Sequence, residues 1–207
     1  VSRGGLKLRH ALDVFGRESA DGGNNLDVRG LTCADLGCST GGFTDCLLQA
    51  GAAKVYAVDT AYGELAWKLR NDPRVVVMER SNALHATAPE GGVDLVVADI
   101  GWTPQRLVVP TALRWLKPGG KIVSLIKPHY EKSDRERAAG GKSGSGPGAR
   151  CHVLSKDEAR AETERVVAML PSLGVRVLGL TESPILGGKG TKEGTGNLEW
   201  LVMTERA

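Results

Sequence analysis

Five short apolar runs, each ending in a polar residue or a glycine, punctuate the first two thirds of the chain: residues 31–36, 54–58, 74–78, 94–98 and 121–126. They are short and rich in Val, Leu and Ile, with charge confined mostly to their first residue, the pattern of strands buried on both faces of a parallel sheet. Helical spacing falls between them. Phe43, Cys46, Leu47 and Ala50 repeat on one face, as do Leu107, Val108, Ala112, Leu113 and Leu116 before the stop Lys117-Pro118-Gly119-Gly120. Residues 6–16 predict an extra N-terminal helix, followed by a polar insertion over 17–27, so that 1–28 precede the sheet. Ser155 caps a predicted helix running to Leu170, with Asp157 and Glu158 in its first turn. Residues 133–150, rich in Gly, Ser and Arg, predict a loop.

Two more strands are predicted at 175–180 and 198–204. The connection between them, 187–196, is too short for a crossover helix, so they pair antiparallel. The expected fold is α/β: a doubly wound, seven-stranded sheet with helices on both faces, five parallel strands being closed by an antiparallel C-terminal hairpin. That hairpin separates the Rossmann-like methyltransferases from the dinucleotide dehydrogenases, and a single domain over 1–207 accommodates it.

Hydrophobic residues are 41% and charged residues 25% of the 207, enough to bury such a sheet without staples. The net charge of +3 is unevenly spread. Arg3, Lys7, Arg9 and His10 lie in a segment free of acids, and residues 127–150 hold six Lys or Arg against three acids. Either these are solvated edges, or they meet phosphate. Cys33, Cys38, Cys46 and Cys151 lack metal-ligand spacing and read as small buried side chains in a reducing, cytoplasmic setting; no metal is expected. No run of about 18 apolar residues predicts a membrane span.

The chemistry begins at the first strand's end. Ala34-Asp35-Leu36-Gly37-Cys38-Ser39-Thr40-Gly41-Gly42-Phe43 leaves a strand, turns on glycine and opens a helix, at the strand tips where open α/β sheets bind ligands. The spacing is not GxGxxG. Asp59, ending the second strand seventeen residues after Gly42, can accept both hydroxyls of an adenosine ribose. Asn82 in Ser81-Asn82-Ala83, past the third strand, can pair with an adenine edge. Each feature alone also fits a ligand-free turn or cap; three at successive strand ends argue for a nucleoside-bearing cofactor.

These residues resemble the FtsJ-type RNA 2′-O-methyltransferases, and within them the TlyA group, some of whose members carry a haemolysin label. The likeness rests on Ser2-Arg3-Gly4-Gly5-Leu6-Lys7-Leu8, Gly41-Gly42-Phe43-Thr44-Asp45-Cys46-Leu47-Leu48, Tyr56-Ala57-Val58-Asp59 and Ala66-Trp67-Lys68-Leu69-Arg70. It continues in Leu116-Lys117-Pro118-Gly119-Gly120, Leu125-Ile126-Lys127-Pro128 and Asn197-Leu198-Glu199. The resemblance implies S-adenosylmethionine as cofactor, held by Asp35, Gly37, Ser39, Thr40, Gly41, Gly42, Phe43, Asp59, Asn82, Ala83 and Asp99. It implies a catalytic tetrad of Lys7, Asp99, Lys127 and Glu199, with structured RNA, of the ribosomal class, as substrate. Arg3, Lys7, Arg9, Trp102, Lys132, Arg135 and Arg137 are the candidate RNA contacts. In this reading Lys127 takes or steers a proton from the ribose hydroxyl. To take it, Lys127 must be partly neutral, a state that burial and Lys7 favour and that Asp99 and Glu199 oppose.

The chain departs from the group's pattern in three places, one being a Gly/Ser-rich stretch after Lys127 that is longer than expected and reads either as a lid ordered by RNA or as a segment without function. No S4-type RNA-binding module is visible before Ser2, and Ile100-Gly101-Trp102 stands where Val-Ser-Phe is usual. Three other readings compete: an RNA-binding protein of the same fold without useful activity, a small-molecule methyltransferase, and a membrane-lytic protein. The complete tetrad argues against the first, and the basic Gly-rich rims against the second. The lack of any long amphipathic segment argues against the third. Oligomeric state is not legible.

Overall fold

The computed structural model describes residues 2–16, 26–140, 153–188 and 196–207. Its strands are β1 (Thr32–Leu36), β2 (Lys54–Val58), β3 (Val75–Met78), β4 (Val93–Ala98), β5 (Leu116–Ile126), β6 (Val175–Glu182) and β7 (Trp200–Arg206). Its helices are α1 (Arg3–Phe15), α2 (Gly42–Gln49), α3 (Trp67–Arg70), α4 (Gln105–Trp115), α5 (Pro128–Ala138) and α6 (Lys156–Met169). The strands form one seven-stranded sheet in the order β3-β2-β1-β4-β5-β7-β6. The first five are parallel, and β7 inserts antiparallel between β5 and β6.

Strand alternation sorts the core into two layers. Cys33, Leu95, Val97, Val123, Leu125, Leu201 and Met203 face the cluster under α1 and α2. Their neighbours Ala34, Val96, Ala98, Ile122, Ile126 and Val202 face the cluster that includes Trp115 of α4 and Val166 of α6. Both faces are dry because both are covered, which is why the strands read as continuous apolar runs. Ser124 interrupts the run in β5, and its hydroxyl donates to Gln105 Oε1 at 2.9 Å, so the buried polar group is satisfied. Cys33, Cys38 and Cys46 are buried and unpaired, and burial pushes the Cys33 and Cys46 thiols up to about 12 and about 11. They are packing residues; Cys151 lies outside the described residues.

Register sets where the strands end. Leu36, Val58, Met78 and Ala98 lie level across β1–β4, so Gly37, Asp59, Glu79 and Asp99 leave the sheet along one edge. Ala98 pairs with Ser124, and β5 then continues for two residues to Ile126. Ile126 in turn pairs with Trp200 of β7. Lys127 and Glu199 are the next residues outward on these two strands.

Two expectations need correction. Residues 133–138 are not loop but the second half of α5, which starts with Pro128 in its first turn, where a missing N–H costs nothing. The remaining residues of that predicted loop, 141–150, lie outside the described residues. The predicted helix 107–116 ends at Trp115, and β5 begins at Leu116, five residues early and with a register shift beside Val93. By contrast, the helix from Ser155 opens as expected with Ser155 as its N-cap, in a capping box where Ser155 and Glu158 each satisfy the other's backbone N–H.

Candidate active site

The first turn is shaped by internal packing. Gly37 has φ +88°, and a Cβ there would lie 2.7 Å from the carbonyl oxygen of Asp99. The residue must be glycine for the tips of β1 and β4 to close together. Gly41 packs against Leu65 and Leu69, and Gly42 against Ser2 and Gly5 of α1. Phe43 is buried in the core beside Gly4. Gly42 and Phe43 thereby bring α1, which carries Lys7, against α2, while Gly41 seats the chain on Leu65 and Leu69.

Asp35 is fully buried. Its Oδ2 accepts the Thr44 backbone N–H at 2.8 Å and the Thr44 hydroxyl at 2.6 Å, while Oδ1 finds no partner among the described residues. Burial pushes its carboxyl up to about 7, against the two Thr44 hydrogen bonds. Asp59 accepts the Ser39 N–H at 2.7 Å and the Ala61 N–H at 2.9 Å, one on each oxygen, leaving the second lone pair of each for another donor. Ser39 itself has φ +47°, and the Thr40 carbonyl accepts the Ala66 N–H at 3.2 Å. Asn82 Oδ1 accepts the Leu84 N–H at 3.0 Å, so its uncommitted amide is what remains for a ligand; Ala83 beside it is buried. These acceptors and donors line the tips of β1–β3 and suit a nucleoside with a cationic, amino-acid-like tail.

At the tips of β4, β5 and β7 four charges meet. Lys127 ion-pairs with Asp99. Lys7, from α1, donates to Glu199 Oε2 at 2.5 Å, both side chains being buried. Gly187, bridged to Asn197, makes room for the Glu199 carboxylate: a Cβ there would overlap it. The two pairs feel each other. Burial alone would lower the Lys127 amine, but Asp99 first and Glu199 next outweigh it, and the net direction is upward. Burial raises Glu199 despite Lys7 and Lys127. Of the opposed influences expected on Lys127, the acids prevail, because Lys7 is itself matched by Glu199.

Around this cluster sit Trp102, a candidate from the sequence, and two rings that sequence reading missed, Tyr130 and His129. The Lys127 amine lies 5.6 Å from the Tyr130 ring centroid, which is 4.6 Å from Trp102 and 4.1 Å from His129. Trp102 is 46% exposed, with φ +60°. His129 is buried with Nδ1 unpartnered, and burial first, then Lys127 and Lys7, push its imidazole down to about 4. The Lys127-Pro128 step was the available signal that a helix follows and carries these rings back over the site.

The basic candidates divide. Arg3, one turn before Lys7 on the same face of α1, donates to the Leu186 carbonyl at 3.2 Å. Arg9, two residues past Lys7, lies on a different face and does not join the cluster. Lys132 and Arg135 of α5 pair with Glu158 and Glu162 of α6, both at 2.9 Å. Exposed Arg137 donates to the Ser133 carbonyl among the described residues. Among the described residues no group of three or more His, Cys, Asp or Glu is placed to hold a metal, and no helix is long and apolar enough to cross a membrane.

Comparison with known proteins adds the family. The profile of the FtsJ-like methyltransferases matches residues 1–193. The chain is 42% identical over 212 residues to the 16S/23S rRNA (cytidine-2′-O)-methyltransferase TlyA of Mycobacterium tuberculosis, covering 100% of this chain and 70% of that protein. A Streptococcus thermophilus structure provisionally assigned as a hemolysin superposes with a TM-score of 0.78 at 38% identity, over 100% of this chain and 66% of that one. An S-adenosylmethionine-dependent methyltransferase from Mesorhizobium loti shares the fold at a TM-score of 0.54 and 17% identity, covering 87% of this chain and 93% of its own. The chain thus spans about two thirds of the length of its more similar relatives. On the profile match and the full-length similarity, it belongs to the FtsJ-like methyltransferase family.

Proposed function

We propose that this chain methylates a ribose 2′-hydroxyl of structured RNA, with ribosomal RNA as the substrate class and S-adenosylmethionine as donor. The observation that carries the proposal is the convergence of Lys127–Asp99 and Lys7–Glu199 beside the strand tips that carry Asp35, Asp59 and Asn82. The similarity to TlyA, named for cytidine-2′-O methylation of rRNA, supports the same reading.

The residues present fit the cofactor. Asp59 offers a lone pair on each oxygen to a ribose diol, Asn82 an amide to an adenine edge, and the unpartnered Oδ1 of Asp35 an acceptor for an ammonium. When bound, S-adenosylmethionine supplies an electrophilic methyl group on a sulfonium. The protein must supply a nucleophile, and a ribose hydroxyl is a poor one until it sheds its proton. That proton is handled within the Lys127–Asp99 pair. The ammonium orients the hydroxyl oxygen and stabilises the charge growing on it. Asp99 is the carboxylate through which Lys127 gives up a proton before it can take one. General acid–base help of this kind contributes about 10²–10⁴-fold. Lys7, held by Glu199, keeps a second positive charge beside the nucleotide. Trp102 presents a ring face for the target base, an interaction of ~1–3 kcal/mol. Arg3, Arg9, Lys132, Arg135 and Arg137 remain the candidate phosphate contacts. For Lys132 and Arg135, phosphate has to compete with Glu158 and Glu162.

The test is the position of the methyl group. The protein is incubated with labelled S-adenosylmethionine and unmodified ribosomal subunits, and the RNA is digested and mapped by mass spectrometry. Label on a ribose 2′-oxygen is expected. Label on a base, or none on RNA while a small molecule accepts it, overturns the proposal.

A further inference from the structure

Tyr62 and Trp67 are 69% and 76% exposed, the highest values among the large hydrophobic side chains of the described residues. Both stand on a rigid frame. The loop after β2 begins at Asp59, whose Oδ1 accepts the Ala61 N–H at 2.9 Å, and the Ala61 carbonyl accepts the Arg80 N–H at 3.2 Å. Glu79 clamps the next turn by accepting the Gly63 N–H at 2.8 Å and hydrogen bonds from the Arg70 guanidinium. Leu65 and Leu69 are buried against Gly41, which turns Trp67, midway between them on the α3 turn, outward. The rings are therefore held in water by the fold.

The Arg80 guanidinium carbon sits 4.3 Å from the Tyr62 ring centroid, and Arg80 adopts φ +52° to stand there. No ion pair engages Arg80 among the described residues. One ring face is thus covered by a cation while the ring as a whole stays exposed. Thr60, Gly63, Glu64 and Lys68, next to the two rings in sequence, are all exposed. Isolated rings in a polar surround, with a stacked arginine, lack the continuous apolar core of a protein interface. They match the way proteins hold unpaired bases, by stacking on aromatic rings and guanidinium planes.

We propose that Tyr62, backed by Arg80, and Trp67 form a stacking surface for unpaired bases of the substrate RNA that flank the nucleotide presented to Lys127. The inference rests on the RNA reading above and extends it to the opposite side of the cofactor crevice, since Tyr62 lies three residues past Asp59 on the same loop.

The experiment measures affinity for a fluorescein-labelled mixed-sequence single-stranded RNA by anisotropy, without cofactor, and for S-adenosylmethionine by calorimetry. The proteins compared are wild type, Tyr62→Ala, Trp67→Ala, Tyr62→Phe and Trp67→Phe. Each alanine variant is expected to weaken RNA binding by about 5- to 100-fold. The phenylalanine variants should restore most of it, with cofactor affinity unchanged. RNA affinity that does not move overturns the proposal. So does a parallel loss of cofactor affinity, which would make the loop a lid on the adenosine. A change confined to self-association would assign the rings to a protein contact and overturn it equally. Because the RNA measurement uses no methyl donor, its outcome is independent of whether methyl transfer to ribose is observed.

Discussion

The Lys7–Glu199 pair gives the sharpest quantitative test of how the site is held. Its partners come from opposite ends of the chain, 192 residues apart, at 2.5 Å, with side-chain exposures of 10% and 4%. Replacing Glu199 by Gln leaves the Lys7 ammonium buried without its counter-charge. Uncompensated charges of this kind cost about 3–5 kcal/mol. For a domain of this size that lowers the melting temperature by roughly 6–20 °C, at about 2–4 °C per kcal/mol. Lys7→Met strands the Glu199 carboxylate in the same way, although burial already raises that group and a proton can relieve part of the cost. The double variant Lys7→Met/Glu199→Gln removes both charges, and its loss should be well below the sum of the singles, by at least about 2 kcal/mol. The assay is urea denaturation of all four proteins followed by circular dichroism at pH 7.5. Single losses below about 1 kcal/mol, or strictly additive effects, would refute the buried-pair reasoning. Methyl transfer separates structure from chemistry: the double variant should recover stability but not rate.

Three further outcomes follow from the same geometry. Asp35 has a folded pKa of about 7, above its ordinary 3.8, so its contribution to stability is fully present below about pH 4 and is lost as pH rises through 7. Asp35→Asn should therefore gain stability relative to wild type across pH 4–7 and level off above it, as read by denaturation at stepped pH; a flat difference would contradict the burial argument. Gly187→Ala drives a methyl into the Glu199 carboxylate, which Lys7 pins. The turnover number should fall by roughly 10²-fold, as for a misplaced catalytic group, and a rate within threefold of wild type would show that Glu199 can move freely. Gly37→Ala places a Cβ against the Asp99 carbonyl in a left-handed conformation. It should cost stability by about 1–3 kcal/mol, measured by urea midpoint, with little change expected only if β1 and β4 can part.

How much of this was legible in the sequence differs by element. Four of the five parallel strands were legible within a residue or two, because burial on both faces writes a continuous apolar run; β2 matches its predicted limits, whereas β5 starts five residues early at Leu116. The C-terminal hairpin was legible from the shortness of residues 187–196. Helix α5 was not, since Pro128–Ala138 is mostly charged and buries only Pro128, His129 and Glu131, too few to leave a 3.6-residue period. Its charges are instead absorbed by Glu158 and Glu162 of α6, a long-range pairing that no local pattern announces. The four charged residues of the site were found through family resemblance, because no spacing rule joins Lys7 to Glu199. The glycines of the first turn were identified correctly as special, but their reason lay in neighbours distant in sequence: Asp99, Leu65 and Leu69, and Gly5. The direction in which Lys127 is shifted depended on which acids lay nearest and how deeply all were buried, which no local pattern carries.

The account turns on Lys127 as the group that handles the ribose proton with Asp99. The most direct measurement is the single-turnover rate of methyl transfer to unmodified ribosomal RNA by Lys127→Met, at saturating cofactor and RNA, with both affinities measured separately. A fall of at least about 10²-fold with affinities nearly unchanged is predicted. A rate within a few-fold of wild type would contradict the account.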